Sequence, residues 1–156
     1  MRIQLLAIGT RMPAWVDAGY TEYAERLPAD CRMELVEIPL GVRSKGGDVA
    51  RAVASEGTKM LRAVGKGNVI IALDVKGISW STEELAGRLK QWMQEGRNLS
   101  LLVGGPDGLA ADCLQAAHQK WSLSPLTLPH GLVRVLIAEQ FYRAWSILRG
   151  HPYHRS

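Results

Sequence analysis

Apolar and β-branched residues concentrate in five short runs: Ile3 to Gly9, Met33 to Pro39, Val69 to Asp74, Leu99 to Gly104, and about Trp121 to Leu128. Between them the pattern changes to a helical period. Short apolar runs alternating with amphipathic segments predict an α/β fold: a mostly parallel sheet flanked by helices. Pro13 suits the first turn of a helix that carries Trp15, Val16, Tyr20 and Tyr23 toward the sheet or a partner. Asp48 is a good N-cap for a helix running to about Val64, with Gly65 stopping it. Ser81 and Glu84 stand at capping-box spacing for a third helix that ends at Gly96. A last helix, about Gly131 to Leu148, gathers Val133, Leu136, Ile137, Phe141, Ala144, Trp145 and Leu148 on one broad apolar face, which must pack on something large.

No internal repeat, low-complexity stretch or linker interrupts this pattern, so the 156 residues are expected to form one domain, 1–156. A hydrophobic fraction of 47% fits a globular chain, and no apolar stretch is long enough to span a membrane. The apolar start reads as a buried first strand rather than a leader, because no small-residue cleavage site follows. A soluble protein without a membrane partner is expected. Cys31 and Cys113 lack any paired spacing, which fits packing residues in a reducing cytoplasm. A formal charge of +4 gives a moderate positive field that suits nucleic acid, though it also suits many other soluble proteins.

Several chemistries fail on spacing. The glycine-rich loop 41–47 lacks the Lys-Ser/Thr pair of a P-loop after its second glycine; no GxGxxG opens a helix after the first strand, and no GxSxG marks a hydrolase elbow. Loop 41–47 reads either as a solvated turn or as a basic contact for RNA phosphate. Gly104, Gly105 and Gly108 leave no Cβ between backbone and a ligand, yet a plain tight turn explains them equally well. What favours a ligand is that the ends of three strands, after Leu73, at Gly104 and along Leu123 to Leu128, fall on one edge of a parallel sheet.

Four segments carry a resemblance: Leu102 to Gly108, Leu123 to His130, Arg134 to Trp145, and the tail His151-Pro152-Tyr153-His154-Arg155. Together with Ala7 to Pro13 and loop 39–47, they closely resemble the bacterial large-subunit (23S) ribosomal RNA pseudouridine N3-methyltransferases, which are minimal SPOUT methyltransferases. The resemblance spans the whole chain. It implies a SPOUT α/β-knot with a C-terminal deep trefoil knot, a homodimer, S-adenosylmethionine as methyl donor, and 23S rRNA in the ribosome as substrate. It places the donor on Leu73, Gly104, Leu123, Ser124, Pro125, Leu126, Thr127 and Leu128, where backbone groups in an apolar cleft can hold an adenine.

The reaction so implied must remove a proton from N3 while charge spreads to the flanking carbonyls. His154 is the candidate proton acceptor. Arg143 or Arg155 would stabilise the developing charge, Tyr153 would stack on or hydrogen-bond the base, and Glu139 would orient Arg143 from one helical turn away or form a surface or interface pair with it. His130 reads as a donor or RNA contact or as a helix cap. His151 and His154 lack further ligands, and no metal is expected. Arg11, Arg43, Lys45, Arg134 and Arg155 are the candidate RNA contacts. With no separate RNA-binding module, the site is expected to be shared between two subunits. Ribose 2′-O methylation and a noncatalytic ribosome-binding or assembly role are the competing readings.

Overall fold

The computed structural model describes residues 1–43 and 47–155. Five strands form one sheet: β1 (Arg2–Ile8), β2 (Arg32–Ile38), β3 (Val69–Ser79), β4 (Leu99–Val103) and β5 (Gln119–Ser122). Their order is β2-β1-β4-β3-β5, and every pairing is parallel. Side chains alternate across β1: Ile3, Leu5 and Ala7 enter one core, and Leu6 and Ile8 enter the other. The first core packs beneath α1 (Ala14–Ala24), α3 (Thr82–Gln94) and α5 (His130–Leu148); the second packs beneath α2 (Val49–Ala63) and α4 (Ala111–Ala116). The two-sided burial explains why the strands read as nearly continuous apolar runs.

The expected caps are present. Asp48 Oδ1 accepts the Arg51 N–H at 3.3 Å, and Ser81 and Glu84 make the reciprocal pair of a capping box. Gly96 takes φ +65 just past the end of α3, a conformation that disfavours residues with a Cβ. The α5 face centred on Ile137, Phe141 and Ala144 is fully buried, and the helix packs between α1 and α3. Cys31 and Cys113 are buried free thiols.

Three elements differ from expectation. β5 ends at Ser122, and the segment expected to continue it to Leu128 leaves the sheet, because Pro125 has no N–H to place in a ladder. β3 continues to Ser79 past an irregularity in which both Leu73 and Ile78 pair with Trp121. Asp74 accepts the Lys76 N–H across that irregularity, and a Cβ on Gly77 would lie 2.6 Å from the Lys120 backbone. The short helix α4 carries no period long enough to read from sequence, and Ala110, its N-cap, offers no side-chain signal.

Candidate active site

The carboxyl ends of β4, β3 and β5 meet at one edge of the sheet, and a cleft of about 520 Å³ opens there, within the usual range for small-molecule sites. Of the residues expected to hold a ligand, Leu73, Gly104, Leu123, Ser124, Leu126, Thr127 and Leu128 line it; Pro125 does not. Its wall is made of glycine backbone and Leu, Val and Trp side chains. Among the described residues, Asp74 and His130 are its only ionisable lining residues. Neither Asp74 nor Trp121 was singled out in the sequence. The signal for Asp74 was its place as the polar residue closing the β3 run.

The glycine loop is a β-turn: Gly108 N–H donates to the Gly105 carbonyl at 3.1 Å, with Pro106 at the second position. A Cβ on Gly104 would stand 2.6 Å from the Gly108 carbonyl carbon and 2.8 Å from the Leu109 nitrogen. Gly104 is therefore required by the closeness of two backbone segments, which the cleft exploits. Across from it, Leu126 N–H is held by Ser124 Oγ at 2.9 Å, and Ser122 Oγ donates to the Ser124 carbonyl at 3.1 Å. Among the described residues, no hydrogen bond uses the N–H or C=O of Thr127 or Leu128, so these groups remain available to a ligand. Unpaired backbone groups in a cleft are normally satisfied by solvent or ligand.

His130 lines the same cleft as the first residue of α5. It is no cap: the N-cap is Pro129, and no side chain caps that end. The next residues of the helix run under the sheet.

The tail residues come together elsewhere. Glu139 Oε1 accepts from Arg143 Nε at 2.7 Å and Nη2 at 2.6 Å, and from the Tyr153 hydroxyl at 3.1 Å. The Arg143 guanidinium lies 4.7 Å from the Tyr153 ring centroid. Its Nη1 faces His154 Nδ1 at 3.3 Å, and His154 Nε2 faces Glu83 Oε1 at 3.2 Å. A guanidinium only donates, so Nδ1 accepts and Nε2 carries the hydrogen to Glu83. The Glu139–Arg143 pair is thus half-buried and shared with Tyr153. Burial and the adjacent Glu139 carboxylate push the Tyr153 phenol up to about 12, so it stays protonated and donates. Arg155 is exposed.

None of the five tail residues lines the cleft. Glu139 and Arg143 lie nine and thirteen residues beyond His130 on α5. That separation is roughly 13 to 20 Å along the helix axis.

Among the expected RNA contacts, Arg11 is exposed and Lys45 lies outside the described residues. Arg134 contradicts the expectation. It is fully buried, with Nη1 on Glu37 at 2.8 Å and Nη2 on the Gly9 carbonyl at 2.8 Å, and it pins the carboxyl end of β1. Arg43 is also engaged inside the protein, between Glu56 and Asp107. A second cleft, lined by Lys76, Trp80, Arg88, His118 and Lys120 among others, backs onto the first through the stacked rings of Trp80 and Trp121, 4.9 Å apart.

Fold and cleft define an α/β protein with an apolar cleft of small-molecule size at the carboxyl edge of a parallel sheet. The family described as predicted SPOUT methyltransferase matches residues 1–154. A protein of Thioalkalivibrio sulfidiphilus named ribosomal RNA large subunit methyltransferase H is 60% identical over 155 residues, covering 99% of each chain. A protein of the same name from Alkalilimnicola ehrlichii is 60% identical over 156 residues, covering 100% of both. In fold alone, the chain is similar to a probable methyltransferase from Bordetella pertussis, with TM-score 0.57 and 16% identity, covering 91% of this chain and 95% of the other. It is likewise similar to a probable methylase family protein from Haemophilus influenzae, with TM-score 0.59 and 11% identity, covering 99% and 70%. The chain belongs to the SPOUT methyltransferase family.

Proposed function

We propose that this protein is an S-adenosylmethionine-dependent methyltransferase of large-subunit ribosomal RNA that methylates N3 of a pseudouridine. The observation that carries this reading is the cleft: all but one of the residues that the family resemblance assigns to the methyl donor line a single apolar cavity with free backbone groups. The 60% identity over full length to proteins named for this RNA supports the substrate class.

The residues present fit the donor. The unpaired groups of Thr127 and Leu128 offer hydrogen bonds, and among the described residues Asp74 is the one acidic side chain lining the cleft for a cationic ligand. When bound, S-adenosylmethionine supplies a methyl carbon already activated by a positively charged sulfur. What the chain must then do is align the nucleophilic nitrogen and manage one proton. Alignment of two bound reactants contributes up to roughly 7 to 11 kcal/mol in favourable cases. His154 is the proposed acceptor of the proton that N3 must lose when it is methylated. In the single chain its one free lone pair, on Nδ1, accepts from Arg143, so Arg143 must move off Nδ1 before His154 can take the proton. Arg143, fixed by Glu139, and Arg155 are the proposed partners of the charge on the flanking carbonyls, and Tyr153 offers its ring to the base.

Because donor cleft and tail stand apart in one chain, the active protein is proposed to be a homodimer in which a second copy's tail completes each cleft. Large apolar side chains exposed at the cleft support this: Leu126 is 70% exposed and Val75 53%. The threading of the C-terminal segment as a deep trefoil knot, the single domain 1–156 and a cytoplasmic location with the ribosome belong to the same proposal.

The test is transfer of labelled methyl from S-adenosylmethionine to ribosomes lacking the modification, with nuclease digestion and mass spectrometry to locate it. N3-methylpseudouridine in 23S rRNA is expected. A methyl on ribose would move the protein to another SPOUT reaction, and no transfer by a folded, donor-binding dimer would favour a noncatalytic ribosome-binding or assembly role.

A further inference from the structure

Glu56 of α2 is 2% exposed, and a carboxylate so buried requires compensation. It finds it in the segment leading from β2: Glu56 Oε2 accepts the Gly41 N–H at 2.8 Å and Arg43 Nη1 at 2.6 Å. Arg43 Nη1 also reaches the Gly41 carbonyl at 3.0 Å. The packing is close, since a Cβ on Gly41 would lie 2.4 Å from the Ala52 carbonyl oxygen. These contacts engage Nη1, whereas Arg43 Nη2 and Glu56 Oε1 have no partner among the described residues. The Arg43 Nε goes to Asp107 at 2.8 Å, in the turn Gly105–Gly108.

Asp107 is 39% exposed and needs no partner for the sake of burial. An ion pair that exposed contributes only about 0 to 1 kcal/mol to folding. Its position is what matters. Gly104, Gly105, Pro106 and Gly108 line the cleft, whereas Asp107 does not. The turn is internally closed by the Gly105–Gly108 hydrogen bond and stiffened by the contact of Gly104 with the Gly108 backbone, so it moves as one piece. β4 anchors it on one side, and Arg43 anchors its outer tip.

We propose that Arg43, held by the buried Glu56, is a positioning residue for the methyl donor: through Asp107 it fixes the glycine turn against the cleft. The inference rests on the reading of this cleft as the donor site. Arg43 itself touches no ligand. Without the anchor, the turn divides its time between closed and open positions, and the apparent donor affinity falls by the fraction of time it is closed.

The test is calorimetric titration of S-adenosylmethionine and S-adenosylhomocysteine into the full-length protein and its Asp107→Ala, Arg43→Lys, Arg43→Ala and Arg43→Ala/Asp107→Ala variants. Asp107→Ala leaves the Arg43–Glu56 pair intact, so it separates positioning from folding. It is expected to weaken both ligands by about two- to fivefold, the population shift that losing a pair worth up to about 1 kcal/mol allows. Its melting temperature should stay within about 2 °C of wild type. The KM for donor should rise while the KM for RNA stays constant. Arg43→Lys, a point charge without the fork, should fall between wild type and Asp107→Ala. The double variant should lose no more affinity than Arg43→Ala alone. Wild-type affinity in Asp107→Ala, or donor loss accompanied by a matching loss of stability, would overturn the inference alone. A wild-type protein that binds neither ligand would overturn the donor reading of the cleft, and the inference with it.

Discussion

Arg134 separates a structural reading of the positive charges from an RNA-binding one, and its replacement by Met tests which holds. The side chain has no exposed surface; it links α5 to Glu37 of β2 and to the carbonyls of Gly9 at 2.8 Å and Ile8 at 3.4 Å. Met fills much of the same volume, so the cavity term is small. What is lost is one good charge-assisted bond to a buried carbonyl, worth about 1.5 to 3 kcal/mol, and the partner of Glu37. Glu37 is 33% exposed and partly solvated, which discounts its share well below that of a sealed ion pair. Arg134 Nε has no partner in the wild type, and its removal returns a little. The balance is a destabilisation of about 2 to 4 kcal/mol. For a chain of this length that lowers the melting temperature by about 5 to 15 °C. Calorimetry at matched protein concentration reads it, because association would shift the transition. If Arg134→Met melted within about 2 °C of wild type yet lost RNA affinity, the buried-strut reasoning would be refuted.

Burial pushes the Tyr20 phenol up to about 12 from an ordinary 10, with Glu34 adding to the shift. A folded value above the unfolded one gives stability fully present below pH 10 and lost as pH rises through 12, so urea midpoints should fall across that window, and Tyr20→Phe should flatten the fall. The Tyr20 hydroxyl is buried with no partner among the described residues, so the same variant should be neutral or stabilising at pH 7 in thermal melts. Gly104→Ala would drive a methyl to 2.6 Å from backbone that cannot yield, so equilibrium dialysis should show donor binding at least about tenfold weaker. Leu126→Asp places a charge on a 70% exposed apolar side chain at the cleft, and sedimentation should show it shifting a dimer toward monomer with the fold retained by circular dichroism.

The five strands were legible because burial on both faces writes them as continuous apolar runs, and the caps at Asp48 and Ser81 were legible because their chemistry is local. The overextended fifth strand shows the limit of that signal. Leu123, Leu126 and Leu128 are apolar because they line a cleft, and cleft lining is indistinguishable by composition from strand core. Helix α4 failed for the opposite reason, since its six residues are too few to establish a period. The cleft was legible mainly through the family resemblance. Its geometry depends on Gly104 approaching Gly108 and on the irregularity at 74–77, which are tertiary facts. Arg134 and Arg43 read as RNA contacts because a basic residue in sequence carries no mark of the carboxylate that will meet it; Glu37 and Glu56 lie 97 and 13 residues away.

That misreading bears on how a charge of +4 can recognise RNA. Arg26, Arg43, Arg134, Arg143 and Arg149 all sit in ion pairs within the chain, and in two of these pairs one partner is almost wholly buried. Five of the nineteen Lys and Arg side chains therefore support loops, strand ends and the tail, and add little to the field at the surface. Arg143 is the exception in kind, because its partners belong to the tail cluster and its guanidinium is half-buried against Tyr153 rather than sealed. Glu139 holds this cation in place, and burial keeps the neighbouring phenol protonated, so the cluster is set before any substrate arrives. In the proposed homodimer, a cleft with almost no charge and a tail with concentrated charge would be complementary halves of one site. The fold keeps them apart in a single chain, and that separation is the ground for the proposed pairing with a second copy.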